Sequence, residues 1–201
     1  DDSSGYSVGH SSETADYIRS IFNRLDPIID LDFTEKLDQQ GSLFDIYSLS
    51  EKTNWSDDTL GGCALRDGWF DVYWKDGGRR GLDSDNNDRY TLVHEIGHAL
   101  GLSHPYGDGD HPKYNSDDTV MSYSNASSGW RSWFTDSGIT ALQQIWGVED
   151  DSYSTPQAGV SSGQISQISV DDGYVYRLSN ASTGKFLFSA NSNEIDILTG
   201  Q

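Results

Sequence analysis

Three histidines and one glutamate in a short run have the clearest capacity for chemistry in this chain. The run is HEIGHALGLSH, residues 94–104. In a helix, residues four positions apart lie about 40° apart around the axis and about 6 Å apart along it. His94 and His98 can therefore direct imidazole nitrogens at one cation, and a reversal at Gly101 would return His104 as a third ligand. Three such ligands predict a zinc ion with one open position.

Glu95 follows the first of these histidines and is rotated away from the metal-facing side of the helix. It can therefore reach a water bound to the metal rather than the metal itself. Zinc lowers the pKa of such a water, and a neighbouring carboxylate takes its proton as the water attacks a carbonyl. The carboxyl then protonates the leaving amine, while the metal stabilises the oxyanion. An alternative is a zinc site without catalysis, against which Glu95 counts.

Amphipathic helices and alternating strands must position these residues. The pattern predicts a helix over 88–100 whose apolar residues face inward, with Gly101 as its left-handed end. Further helices are predicted over 13–26, capped by Ser12, and over 136–146. Alternation predicts strands at 28–34, 43–49 and 69–75, with glycine turns at 61–62 and 77–78. The chain is therefore expected to be α+β.

A second motif lies downstream of the histidines. The chain's single methionine, Met121, lies 17 positions after His104 within TVMSY, residues 119–123. Together the two motifs resemble the metzincins, which combine HExxHxxGxxH with a later methionine turn. Pro105 after the third histidine and Ser-Tyr after the methionine are similar to the serralysins. The resemblance extends over residues 12–147 and is strongest over 90–123.

The resemblance implies a fold, a site and an activity. The fold would be a metzincin fold with a twisted mixed sheet, an active-site helix and an irregular lower subdomain. Met121 would form a hydrophobic floor under the histidines, although a core methionine filling a gap is the alternative. Tyr123 would be a further zinc ligand that swings away to bind the oxyanion, or else a packed ring. An edge strand from residues 63–75 would pair with an extended peptide. The implied activity is that of a zinc-dependent endopeptidase.

Calcium is a further possible cofactor. Serralysins carry glycine-aspartate calcium repeats that this chain lacks. Asp83, Asp85 and Asp88 have the alternating carboxylates of a calcium loop without its turn glycine or a bidentate glutamate. An acidic segment that complements the N-terminus of the following helix is the favoured interpretation. Asp108 and Asp110 leave the same choice between calcium and a solvated loop.

Three further residues have two interpretations each. Cys63 is either a small buried apolar residue, which we favour, or a thiolate that caps the zinc in a latent form. Trp130 and Trp133 follow the methionine motif and either shape a substrate pocket or only pack.

The composition restricts the classes of molecule that this chain could bind. The 201 residues include 13 basic and 32 acidic residues and carry a formal charge of −19. This charge argues against nucleic acid and anionic membranes, because their phosphates would be repelled. No apolar run is long enough to span a bilayer. The acidic composition fits a secreted protein, which we expect to be a monomer, and the resemblance implies protein or peptide substrates. A noncatalytic binding module and a zinc hydrolase acting on other substrates are the competing functions.

Composition also predicts the organisation of the chain. Residues 1–11 are expected to form a flexible lead-in before a catalytic domain over 12–147. A polar segment at 148–164 has the composition of a linker. Residues 165–201 are expected to form a small or partial β module, because their strands recur at short spacing but are too few to bury a core.

Overall fold

The computed structural model describes residues 5–36, 42–52, 55–66, 68–76, 81–150, 165–170, 173–180 and 185–189. The chain divides into two compact units, Asp1–Glu149 and Asp150–Gln201. Every residue proposed above for the metal site belongs to the first unit. None of the helices in the described part of the chain has the length and apolar character needed to cross a bilayer.

A four-stranded mixed sheet forms one side of the first unit. Its strands are β1 (Gly5–Ser7), β2 (Phe44–Lys52), β3 (Gly61–Leu65) and β4 (Phe70–Lys75). Their order across the sheet is β1-β2-β4-β3. β2 and β4 are parallel, whereas β1 and β3 run antiparallel to their neighbours. β3 is therefore an edge strand of this sheet.

Three α-helices accompany the sheet, and two of them begin at a side-chain cap. The Ser11 hydroxyl accepts a hydrogen bond from the Thr14 N–H at 3.1 Å, and the Thr135 hydroxyl accepts one from the Gly138 N–H at 3.3 Å. Such caps satisfy amides that have no partner within the helix. The helices are α1 (Ser12–Leu25), α2 (Asn87–Ala99) and α3 (Asp136–Trp146).

The core lies between one face of the sheet and the helices. In β4, Val72 and Trp74 are buried while Tyr73 on the opposite face is only half-buried, as expected from the period of two in a strand. α2 packs against β3 and β4 and is buried along most of its length. The largest fully buried side chains include Trp74, Ile21, Leu25, Ile29, Leu92, Ile96, Leu100 and Leu142.

Residues 100–135, all of which the structure describes, form turns, one 3-10 turn at Pro105–Gly107 and no strand or α-helix. Buried serine side chains connect this segment internally. The Ser122 hydroxyl donates to the Tyr114 carbonyl at 3.0 Å, and the Ser116 hydroxyl donates to the Gly129 carbonyl at 3.2 Å. These bonds hold an irregular chain in one arrangement beneath α2.

Four sequence-based expectations differ from the structure. The side chain that caps α1 is that of Ser11 rather than Ser12, because the Ser11 hydroxyl accepts the hydrogen bond from the Thr14 N–H. The strand predicted at 28–34 is a single bridge between Ile29 and Val148, because this segment pairs with the chain just after α3. The glycines predicted as a turn at 61–62 instead begin β3, where the lack of a side chain at Gly61 permits close contact with α2. Within the expected flexible lead-in, β1 pairs with β2.

The second unit contains a three-stranded antiparallel sheet. Its strands are β5 (Ile165–Val170), β6 (Gly173–Asn180) and β7 (Lys185–Ser189), in the order β5-β6-β7. Strands are thus present within residues 165–201, where the sequence predicts them. The domain boundaries proposed from composition remain predictions. Of the linker predicted at 148–164, residues 151–164 lie outside the described residues, as does the glycine turn predicted at 77–78.

Candidate metal centre

Helix α2 and the turn after it bring the three predicted histidines together. His94 and His98 lie one turn apart on α2, and Gly101, with φ of +96°, reverses the chain so that His104 returns to the same point. The Nε2 atoms lie 3.1 Å apart for His94 and His98, 3.1 Å for His98 and His104, and 3.3 Å for His94 and His104. Three ring nitrogens thus converge on one position.

This spacing fits a tetrahedral metal ion. Nitrogens about 2.0–2.1 Å from a tetrahedral zinc ion are about 3.3–3.4 Å apart, close to the observed separations. Lone pairs directed at one point repel one another unless a cation lies between them. Among the described residues, these histidines are the only group of three or more histidine, cysteine or acidic side chains whose ligand atoms converge in this way. They would hold a zinc ion and leave a fourth position open.

The other nitrogen of two of these rings determines which one faces the metal position. His94 Nδ1 lies 2.8 Å from the Val120 carbonyl oxygen, and His98 Nδ1 lies 2.8 Å from the Leu102 carbonyl oxygen. Because a carbonyl only accepts, each Nδ1 carries the proton and donates. Each neutral ring therefore presents the Nε2 lone pair to the metal position, as a ligand must.

The protein environment keeps the three rings neutral. Burial lowers the pKa of His94 to about 3, and the nearby His98 adds to the effect. Burial likewise lowers the pKa of His98 and of His104. Neutral imidazole is the form that binds metal, so the cluster is ready to bind at neutral pH.

Glu95 is buried beside β3. Its side chain is 8% exposed, and burial raises the pKa of its carboxyl to about 8. A Cβ atom at Gly61 would lie 2.7 Å from Glu95 Oε1 and 2.7 Å from Thr91 Cγ2. The edge strand can therefore cover this carboxyl only because position 61 is glycine.

Met121 lies beneath α2, as the methionine motif predicts. It is 2% exposed, and a Cβ atom at Gly97 would lie 2.9 Å from its Sδ and 3.2 Å from Cε1 of Phe134. Gly97 lies between Glu95 and His98 in the motif. The glycine therefore allows the methionine turn to pack directly against the helix that bears the histidines.

Tyr123 lies beside the histidines and is half-exposed. Its ring centroid is 5.4 Å from that of His94 and 4.6 Å from that of His104. Burial raises the pKa of the phenol, and Glu95 and Asp110 raise it further. The hydroxyl therefore stays protonated at neutral pH in the metal-free protein and can donate a hydrogen bond.

Tyr90 is a site residue that sequence reasoning missed. It lies on α2 one turn before His94, and its hydroxyl oxygen is 3.3 Å from His94 Nδ1. The hydroxyl donates to the Ser122 carbonyl at 2.6 Å. The spacing of four residues from His94 could have indicated a shared helix face, but a tyrosine at this spacing is more often an ordinary core residue.

Cys63 and two tryptophans do not join the metal site. Burial raises the pKa of the Cys63 thiol to about 12, and its sulfur is not among the converging ligand atoms. A thiolate cap on the zinc is therefore disfavoured. Trp130 packs against Tyr90 with tilted rings whose centroids are 4.4 Å apart, and the Arg24 guanidinium lies over the Trp133 ring. These contacts favour packing, and a role of either tryptophan in a substrate pocket stays a prediction.

Asp83, just before α2, and Asp88, in the first turn of α2, are joined by reciprocal hydrogen bonds. The Asp83 N–H donates to Asp88 Oδ2 at 2.9 Å, and the Asp88 N–H donates to Asp83 Oδ1 at 3.2 Å. Burial and a hydrogen bond with Asp85 raise the pKa of Asp83 to about 6. These reciprocal bonds favour the interpretation as a helix start, and no observation supports calcium here.

Comparison with known proteins supports the metallopeptidase interpretation over part of the chain. Serralysin B of Dickeya chrysanthemi is 34% identical over 82 residues, which are 41% of this chain and 15% of that protein. Metallopeptidase AprA of Pseudomonas marginalis is 29% identical over 126 residues, which are 55% of this chain and 24% of that protein. No family model matches the chain.

One relative is named a serralysin, and the other a metallopeptidase. The resemblance predicted from the two motifs is confirmed at that level, and the mixed sheet with three helices is compatible with a metzincin-like fold. The matched segments span less than a quarter of either relative's length. The similarity and the histidine cluster together support a protease function at the level of the family.

Proposed function

We propose that this protein is a secreted, monomeric zinc-dependent endopeptidase of the serralysin-like metzincins. Its substrates would be extended segments of proteins or peptides, cut at internal bonds. His94, His98 and His104 would hold the zinc ion, with Tyr123 as a further ligand. The observation that carries the proposal is the convergence of three neutral imidazole Nε2 atoms within 3.3 Å next to the buried Glu95.

Glu95 would move the protons of the reaction. A zinc ion held by the three histidines would supply Lewis acidity towards the peptide carbonyl and the attacking water. Glu95 accepts a proton from that water and delivers it to the amine of the departing product. A carboxyl whose pKa is raised towards neutrality suits both steps, because it binds the proton firmly enough to take it and releases it again.

Tyr123 would stabilise the charge that develops on the carbonyl oxygen. Its half-exposed position beside His94 and His104 leaves its phenol room to move. A protonated hydroxyl can donate a hydrogen bond to the oxyanion, and this interaction strengthens as the negative charge grows. Tyr123 thus has two proposed roles, as a metal ligand before substrate binds and as a hydrogen-bond donor during the reaction.

The edge strand β3 would bind the substrate backbone. Among the described strands β3 pairs with β4 alone, which leaves its outer edge for an extended segment. Pairing of this kind depends on the extended conformation of the substrate backbone rather than on its side chains. Gly61 on this strand also lies over Glu95, so a peptide along β3 would pass close to the proposed base.

Hydrolysis of denatured casein by the wild type and by Glu95→Gln tests this function, with zinc content measured in both. We expect both proteins to bind one zinc ion and the variant to lose about 10²-fold or more of the rate, since general acid–base catalysis typically contributes 10²–10⁴-fold. A wild type that binds zinc but cleaves neither casein nor a pool of random peptides would refute the protease. A loss of less than tenfold would refute Glu95 as the base.

A further inference from the structure

Tyr90 connects two parts of the proposed centre that lie on different segments. It is 5% exposed, and its ring packs against that of Trp130. Its hydroxyl lies within hydrogen-bond distance of one group on α2, His94 Nδ1, and one group in the methionine turn, the Ser122 carbonyl. Ser122 immediately precedes Tyr123. One phenol therefore contacts both the first histidine and the peptide that carries the tyrosine.

The direction of each bond follows from the chemistry of the groups. The Ser122 carbonyl can only accept, so the Tyr90 hydroxyl donates its proton there, at 2.6 Å. The proton on His94 Nδ1 is donated to the Val120 carbonyl at 2.8 Å. The Tyr90 oxygen, at 3.3 Å, accepts a second and weaker hydrogen bond from the same N–H. The Tyr90 hydroxyl thus donates a hydrogen bond to the methionine turn and accepts one from α2.

We propose that Tyr90 is a positioning residue that holds His94 and the Ser122–Tyr123 peptide in a fixed relation. This role rests on the proposed zinc site. The carbonyls of Val120 and Ser122 both belong to the methionine turn, and a buried hydrogen bond is strong because water does not compete for it. Removing the Tyr90 hydroxyl would leave the Ser122 carbonyl without that donor and let the turn shift relative to α2.

The test is Tyr90→Phe, which keeps the ring against Trp130 and removes only the hydroxyl. Residues that orient metal ligands typically contribute 10- to 100-fold to metal affinity. We expect the zinc dissociation constant, measured by competition with a chelator, to rise about 10-fold. We also expect a changed visible absorption spectrum of the Co2+-loaded protein and, in casein hydrolysis, a lower kcat with KM unchanged.

Tyr17→Phe is the matched control. The Tyr17 hydroxyl likewise donates to distant carbonyls, that of Ser132 at 3.0 Å and that of Arg89, on α2, at 3.3 Å. Neither of these hydrogen bonds involves a proposed zinc ligand. This variant also loses the hydrogen bonding of a phenol to backbone carbonyls, including one on α2, but should keep the zinc affinity and the Co2+ spectrum of the wild type. Equal effects of the two substitutions on zinc affinity would mean that Tyr90 acts only through general stability, which would overturn the proposal.

The remaining outcomes separate this proposal from the protease function. Unchanged zinc affinity and an unchanged Co2+ spectrum in Tyr90→Phe would overturn the positioning role while leaving proteolysis intact. A wild type that binds zinc without cutting casein would refute the protease, and the zinc and cobalt measurements would still decide the role of Tyr90. Should Tyr90→Phe fail to fold, Trp130→Leu removes the ring that supports Tyr90. That variant should weaken zinc binding in the same direction, and unchanged affinity would overturn the proposal.

Discussion

Glu95 is a carboxyl whose proton affinity depends on burial. Its pKa is raised to about 8 in the folded, metal-free protein, against an ordinary value of 4.5. The folded state therefore binds a proton more readily than the unfolded state between these two values. The contribution of the Glu95 carboxyl to the stability of the folded protein is therefore present in full below about pH 4.5. It is lost as the pH rises through about 8, because the charged form of the carboxyl must then be buried.

We accordingly expect Glu95→Gln to stabilise the metal-free protein at high pH. Relative to the chelator-treated wild type, the variant should gain on the order of a few kcal/mol in the free energy of unfolding at pH 9, because it buries no charge. At pH 5 the gain should be small. Urea unfolding at both pH values measures the difference in unfolding free energy between the two proteins. The histidines titrate in both proteins, so their contribution cancels in this difference. An equal difference at both pH values would contradict a raised pKa for Glu95.

Tyr123→Phe separates two roles at the residue scale. The variant removes one proposed ligand and the proposed oxyanion donor but leaves the three histidines. We expect zinc to be retained and kcat to fall by about 10²- to 10³-fold, the range found when an oxyanion donor is lost. Zinc content and casein hydrolysis are the measurements. Unchanged turnover would remove the donor role, and loss of zinc would show that the tyrosine is an essential ligand.

At the scale of elements, the contact between β3 and α2 depends on one glycine. Alanine at position 61 would place its Cβ 2.7 Å from both Glu95 Oε1 and Thr91 Cγ2, which is too close for either atom. Alanine at position 62 points to the opposite face and would meet only the half-buried Trp55 ring, at 3.3 Å. The same substitution at these two neighbouring glycines therefore tests the two faces of β3 separately.

We expect Gly61→Ala to displace the Glu95 carboxyl. A displacement of about 1 Å at a reacting group can cost about 10²-fold in rate, so kcat should fall about 10- to 100-fold with zinc content unchanged. Gly62→Ala should keep nearly all of the activity. Both glycines lie on the proposed substrate strand, so a similar loss in both variants would point to substrate binding rather than to Glu95.

At the scale of the whole molecule, the metal centre belongs to one of two units. The three histidines, Glu95 and Tyr123 all fall within Asp1–Glu149, and the bridge from Ile29 to Val148 lies in the same unit. We expect a chain ending at residue 150 to fold, to bind one zinc ion with wild-type affinity and to cleave casein. Circular dichroism and chelator competition test this expectation. Loss of folding or of zinc binding would show that the second unit is required.

The sequence alone was sufficient to predict the relative positions of residues that are close together in the chain, because local secondary structure sets the distances between them. His94 and His98 lie on one helix, so a separation of four residues already places their rings together. The α+β class, the three helices and strands β2 and β4 also follow from local periodicity and caps. The resemblance that names Met121 and Tyr123 rests on short motifs of the same local kind.

Only the tertiary structure decided which distant segments meet these groups. The contact of Tyr90 with Ser122, the closeness of Gly61 to Glu95 and the pairing of Ile29 with Val148 join residues far apart in the chain. Neither helical period nor strand alternation specifies such contacts, because they arise from the packing of whole elements. The burial that raises the pKa of Glu95 has the same origin. The motif predicts which residues can bind a metal, and packing determines their protonation and orientation.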